Sequence, residues 1–150
     1  MSKSLLVSLI STLSFLSFSA FGACPEIEGV YTCTVNGTSS EMVVNQELQN
    51  GVMVYFIDSN DLKLEVKTDG RRYNVDSPVA TLRNPSYVSR CQNQRVKIDI
   101  KADVQSGRLT LAATMNLLFF QRADGQLESR STITVAGYNQ PSVTTLCQKL

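Results

Sequence analysis

The feature that most restricts what this chain can fold into is strict two-residue alternation. In RVKIDIKADV, residues 95–104, Val96, Ile98, Ile100, Ala102 and Val104 fall on one side of an extended chain, and Arg95, Lys97, Asp99, Lys101 and Asp103 on the other. Successive side chains of a strand point to opposite faces, so this segment reads as a strand with one face in a core and one in water. LKLEVK, residues 62–67, repeats the pattern. Between such runs stand Asn50-Gly51, Ser59-Asn60-Asp61, Asp69-Gly70, Ser106-Gly107 and Asp124-Gly125. Asn-Gly and Asp-Gly tolerate positive φ and favour tight hairpins. The spacing predicts strands near 29–35, 40–49, 52–58, 61–67, 71–76, 86–91, 94–104, 108–121 and 126–136, with a short one near 142–147. No segment longer than a turn keeps a 3.6-residue period. Hairpin-linked strands run antiparallel, so the expected fold is all-β: an up-and-down meander closing as a small barrel or folding into a two-sheet sandwich.

The start of the chain has a different character. Lys3 precedes an apolar run from Leu5 to Phe18, and Ala20-Phe21-Gly22 has the small-x-small spacing of a signal-peptidase site. This is the pattern of a secretory signal peptide over residues 1–22, leaving 23–150 as a single all-β domain. Ser8, Ser11, Ser14 and Ser17 break the run, which is also short for a membrane span. The longest later apolar cluster, MNLLFF at 115–120, is far below the roughly 20 residues a spanning helix needs. Ala23-Cys24 also has the small-residue-before-cysteine form of a lipoprotein signal, but Phe21 occupies the position where that signal carries an aliphatic residue. The expected location is therefore secreted or periplasmic, with acylation of Cys24 the less favoured route.

All four cysteines, Cys24, Cys33, Cys91 and Cys147, follow the signal segment and would reach an oxidising compartment. Acylating Cys24 would leave an odd thiol. Three pairings are open. The preferred one joins the local pair Cys24–Cys33 and the distant pair Cys91–Cys147, the latter loop being worth roughly 4 kcal/mol in unfolded-state entropy. Without Lys3, 13 basic residues face 13 acidic ones, and a neutral chain argues against a dedicated nucleic-acid or anionic-membrane binder.

The inventory for catalysis is thin. The chain has no histidine, which removes Ser-His and Cys-His nucleophiles and histidine metal ligands. No C-x-x-C, G-x-S-x-G, H-E-x-x-H or Walker pattern appears. Glu26 and Glu28 would share a face of an extended segment, but two carboxylates beside a chain end read as solvated. Asp99 and Asp103 read as cross-strand charge partners of the neighbouring lysines. No cofactor or metal is expected, and the protein is expected not to be an enzyme.

Three features point to binding. Ser129 and Ser131 share the inward face of LESRSTITV with Leu127, Ile133 and Val135, so they either line a cavity or sit at an open end of the sheet. LTLAATMNLLFFQ is apolar on both faces, so its second face is either covered or contacts a partner. Arg71, Arg72, Tyr73, Arg83, Tyr87 and Arg90 cluster around SPVATLRNP at 77–85, the one long connection, and Arg and Tyr are the residue types of interaction hot spots.

Gly29-Val30-Tyr31, opening the first strand ahead of a hairpin meander, resembles the start of the lipocalin-like barrels, whose Gly-x-Trp closes the barrel's bottom. Tyr31 stands here where that family carries tryptophan. The resemblance implies a small apolar ligand in the barrel interior. Tyr31-Thr32-Cys33 is also similar to the start of bacterial periplasmic lysozyme inhibitors, but their Ser-Gly loop motif is absent here and no such activity is carried over. Two functional readings follow: a binding protein using a barrel interior, with an unknown small apolar ligand, or an interaction or inhibitor module whose 77–90 loop meets another exported protein. Intact-mass analysis of the exported product should find a chain beginning between Ala23 and Cys24. A diacylglycerol adduct on Cys24 would establish a lipoprotein instead, and retention of Met1 would defeat both.

Overall fold

The computed structural model describes residues 24–59, 62–76 and 81–150. The expected signal peptide, the Asn60-Asp61 turn and residues 77–80 of the long connection lie outside them. The strands are β1 (Gly29–Val35), β2 (Thr38–Gln49), β3 (Val52–Ser59), β4 (Leu62–Lys67), β5 (Asp69–Asn74), β6 (Leu82–Gln92), β7 (Arg95–Ser106), β8 (Leu109–Gln121), β9 (Leu127–Val135), β10 (Tyr138–Asn139) and β11 (Val143–Lys149). The all-β antiparallel fold read from the alternation is what forms. Asn36-Gly37 and Asn50-Gly51 make their hairpins with positive φ at both residues, the turn geometry that matches strand twist. The short β10, paired to β9, has no counterpart among the expected strands.

The strands lie in the order β4-β3-β2-β1-β11-β9-β8-β7-β6-β5. The two edges of this path, β4 and β5, are consecutive in the chain, separated by Thr68 alone. One bent segment thus pairs with β3 through its first half and with β6 through its second, and the sheet curls into a nearly closed barrel. Asp69-Gly70 is therefore not the hairpin expected from its sequence. It lies in β5, where the register shifts against β6 and Gly70 takes φ +77° with the Arg90 side chain packed where a Cβ would project. The backbone N–H of Lys67 donates to the Tyr87 hydroxyl at 3.1 Å. Thr68 donates to Met53 O through both its N–H and its hydroxyl, at 3.1 and 2.8 Å. These bonds hold the crossing point.

The inward residues form one core whose packing differs between the two ends. Along β7, Val96 and Ile98 are buried, whereas Ile100, Ala102 and Val104 are only half-buried. On β8 and β9, Phe119 and Leu127 are buried, whereas Ala113, Met115, Ile133 and Val135 are half-buried. The full end is sealed by the segment before β1. Ile27 is buried there, and its N–H donates to Gln46 Oε1 at 2.7 Å. The Tyr31 hydroxyl donates to Ile27 O at 2.9 Å and the Tyr55 hydroxyl to Pro25 O at 2.7 Å. Buried phenols need such partners, and here they anchor the backbone that closes the barrel. Tyr31 occupies the core, as its place in the first strand suggested.

The disulfides correct the expected pairing: they are Cys24–Cys91 and Cys33–Cys147. Cys33 lies opposite Cys147 in the β1–β11 ladder, with Cα atoms 3.9 Å apart. Extended backbone from Gly29 to Cys33 carries Cys33 roughly 13 Å along β1, away from the sealing segment. Cys24 instead meets Cys91 on β6, across the barrel end. Both bridges span longer loops than the expected local one, with separations of 67 and 114 residues. Such bridges fit a non-reducing compartment. Non-reducing peptide mapping should recover Cys24–Cys91 and Cys33–Cys147 peptides. Replacing Cys33 and Cys147 with alanine should lower stability by roughly 5 kcal/mol, about 0.5 kcal/mol more than the same change at Cys24 and Cys91. A Cys24–Cys33 peptide would defeat the assignment.

Candidate functional site

At the end of the barrel away from the sealing segment, the interior opens into a cavity of about 570 Å³. Its wall is mainly aliphatic, with Leu64, Leu82, Ile100, Met115, Ile133 and Val135 prominent. The space has a local cause. Ala102 and Ala113 stand directly opposite each other in the β7–β8 ladder, so two adjacent strands contribute only methyl groups at one level of the interior. Leu or Ile at either position would fill part of the volume. The next level, Ile100 with Met115, still lines the cavity, and the packed core begins beyond it, where Ile98 pairs with Leu117 and Val96 with Phe119.

The cavity wall includes residues of both β4 and β6, which no ladder joins among the described residues and which meet through the Lys67 N–H and the Tyr87 hydroxyl. Lys63 from β4 and Asp76, after β5, put charged groups on the wall, and Lys63 also pairs with Asp58 at 3.1 Å. β6 begins at Leu82, four residues earlier than expected, so the long connection is shorter than its sequence suggests. Asn84, at φ 50°, and Pro85 form an irregularity in β6 where the register to β7 shifts, a position at which a strand tolerates proline. Pro85 and Leu82 thereby come to line the cavity.

The six Arg and Tyr residues grouped by sequence separate in three dimensions. Tyr87 points inward, is 3% exposed and forms part of the cavity wall. Tyr73 stacks on it at 5.5 Å between ring centroids, and the Tyr73 hydroxyl donates to Asp69 Oδ2 at 2.7 Å. Burial pushes the Tyr87 phenol pKa up, so its hydroxyl stays protonated at neutral pH. Asp69 is held below the usual carboxylate range: desolvation opposes ionisation, but the Tyr73 hydroxyl, the Arg71 amide and the Arg71 guanidinium outweigh it. Arg71 is exposed beside Asp69, and Arg83 donates to Gln105 Oε1 at 2.8 Å. Arg72 and Arg90 project from the outer surface of β5 and β6, where they line a second groove.

Ser129 and Ser131 do lie on the inward face, opposite Phe119 and Leu117, but the cavity's β9 wall is Ile133 and Val135. Ser89, overlooked in the sequence, is a more unusual polar group. It is 1% exposed on the core face of β6, and its hydroxyl has no hydrogen-bond partner among the described residues. Its period-2 position between Tyr87 and Cys91 was the available signal. On the second face of β8, Leu118 and Phe120 are half-buried and Ala112 is exposed; the Phe120 ring lies between the guanidinium groups of Arg95 and Arg130, at 5.0 and 5.3 Å. Glu26 and Glu28 are exposed. Among the described residues no group of three His, Cys, Asp or Glu side chains is placed to hold a metal ion, and no helix is long and apolar enough to cross a membrane.

The separation of Tyr87 from Arg83 has a measurable consequence. Tyr87→Ala should destabilise the fold by roughly 3 kcal/mol or more, as loss of a buried ring does. Arg83→Ala, on a solvated hydrogen bond, should change stability by less than about 0.5 kcal/mol. Chemical denaturation of the two variants checks this, and equal stabilities would refute the inward placement of Tyr87.

No protein-family model matches the chain, and no curated protein or solved structure matches it significantly.

Proposed function

We propose that this is an exported, non-catalytic binding protein that holds a small apolar ligand in the open end of a lipocalin-like barrel. The observation that carries the reading is the 570 Å³ aliphatic cavity created opposite Ala102 and Ala113. That volume lies within the range of small-molecule sites, which are typically concave, mostly apolar and furnished with a few polar groups. Leu64, Ile100, Met115 and Ile133 would remove the ligand's apolar surface from water, contributing roughly 25 cal/mol per Å² buried. Lys63 and Asp76 are the charged groups available to a polar end of the ligand. Met115 can adjust its shape to the ligand, because an unbranched thioether accepts several rotamers at low cost. Support for binding without turnover comes from the residue inventory. The chain lacks histidine, its four thiols are bridged, and the phenol in the cavity wall is protonated at neutral pH.

The test is binding of an apolar fluorescent probe, N-phenyl-1-naphthylamine, followed by displacement with fatty acids and alcohols of graded length. Ala113→Trp should fill the cavity and weaken binding at least roughly tenfold. Ala102→Phe, a smaller insertion, serves as the second variant should the indole disturb folding. Circular dichroism and retention of both disulfides report that each variant is folded. Unchanged probe affinity in a folded Ala113→Trp variant would remove the cavity as the site.

A further inference from the structure

The outer surface of β5, β6 and β7 carries an arrangement that the cavity reading does not use. Arg72, Arg90, Lys97 and Lys101 converge on a groove of about 470 Å³, with Asp99 as the one carboxylate in its wall. Asp99 pairs with Lys97 along the same strand, at 3.4 Å, rather than across strands as its sequence pattern suggested. The residue that faces Lys97 across the ladder is Arg90. Like charges directly opposite each other in a sheet are destabilising. Arg72 lies next along the same face, opposite Val88, and donates to Ser86 Oγ at 3.0 Å. Asp69 is opposite Arg90 on the other side, but its carboxylate is engaged by the Tyr73 hydroxyl and the Arg71 amide. Arg90 and Lys101 form no ion pair among the described residues.

This local excess belongs to a larger asymmetry that neutrality conceals. Residues 24–67, which contain β1–β4, carry seven carboxylates and two lysines, whereas residues 68–150 carry six carboxylates and eleven lysines and arginines. The first group occupies one half of the sheet path and the second the other, so the barrel is negative on one side and positive on the other. A positive surface of this kind raises the local concentration of anionic partners.

We infer that the groove on β5–β7 binds an extended acidic polypeptide, whose carboxylates complete the charge of Arg72, Arg90, Lys97 and Lys101 that Asp99 alone leaves in excess. The spacing identifies a chain rather than a single anion. Lys97 and Lys101 are four residues apart on one strand, roughly 13 Å, and Arg72 lies two strands from them, roughly 10 Å across the sheet. One compact anion cannot reach all four. An extended peptide presents same-side carboxylates four residues apart at about 13 Å, which matches the separation of Lys97 and Lys101 along β7. The two guanidinium groups can each take a carboxylate through two parallel hydrogen bonds, and Asn116 and Gln92 in the same wall can bond the peptide backbone.

The experiment measures fluorescence anisotropy of a fluorescein-labelled hexaglutamate peptide against the purified exported protein. Binding is expected at low ionic strength and should weaken as salt approaches physiological levels. The Lys97→Glu, Lys101→Glu double variant should lose at least roughly tenfold in affinity. Circular dichroism and retention of both disulfides report that the variant is folded, since Glu at position 97 gains Arg90 as a partner but loses the ion pair with Asp99, and N-phenyl-1-naphthylamine binding should be unchanged. An Arg71→Glu, Arg108→Glu control, with the same change of net charge outside the groove, should keep most of its affinity. The inference is overturned if hexaglutamate fails to bind, if the control loses as much as the groove variant, or if the protein binds phosphatidylglycerol vesicles but not the peptide.

Discussion

Strand β11 is the element on which the rest of the barrel depends. The chain contains two meanders, β1–β4 and β5–β9, and among the described residues no ladder joins their far edges, which meet at the bend around Thr68 and through the Lys67–Tyr87 bond. β11 lies between β1 and β9, bonded to both, and makes one sheet of the two. The Cys33–Cys147 bridge crosses this seam where the two cysteines face each other, so the last strand cannot leave without the first. The second bridge does the same for the barrel's end, since it fixes the sealing segment to β6. Each disulfide thus ties residues that local hairpins cannot hold together. Bridges of long sequence separation act most strongly on the unfolded chain, and they compensate for the high proportion of distant pairings in such a fold.

The contrast between the barrel's two ends follows from a few side chains. At the sealed end, Tyr31 and Tyr55 supply bulk to the interior and a hydroxyl to the backbone of residues 25 and 27. At the open end, the facing alanines leave a space that the neighbouring Ile and Met side chains do not close. Interiors normally pack to crystal-like density, and unfilled apolar volume in a core is destabilising. A stable barrel that keeps such a space is tolerating a local departure from good packing, the kind of departure expected at functional sites. Tyr87 stands at the boundary, because its ring forms cavity wall while its hydroxyl accepts the Lys67 amide and fastens β6 to β4.

Much of this fold was legible in the sequence because each strand advertises itself locally: alternation names the inward residues, and Asn-Gly names the hairpins. What the sequence concealed depends on pairings between distant strands. Cys24 and Cys33 look like natural partners until β1 is seen to carry Cys33 toward the last strand. Asp69-Gly70 looks like another hairpin until β4 and β5 are seen to pair with opposite edges. Ala102 and Ala113 are unremarkable members of two alternating runs, and only their register makes a cavity of them. The Arg and Tyr residues divide between surfaces for the same reason. Strand β6 sends Tyr87 inward and Arg90 outward, so residues close in sequence serve different surfaces. Ser129 and Ser131 share the inward face with Ile133 and Val135, and only the register of β9 against β8 sets them opposite Phe119 and Leu117.

Net charge hid information in a similar way. A chain with equal numbers of acidic and basic residues reads as indifferent to polyanions, but that inference concerns the average and not the distribution. The topology puts the carboxylate-rich first part on one side of the barrel and the cation-rich remainder on the other. β7 shows how compactly two surfaces can be written into one strand. Its even-numbered residues, Ile100 and Ala102 among them, shape the apolar cavity, and its odd-numbered residues, Lys97, Asp99 and Lys101, shape the charged groove. Because opposite faces of a strand are chemically separate, substitutions on one can change its ligand while leaving the other's packing intact. The same alternation that identified the fold therefore also divides its two candidate binding surfaces.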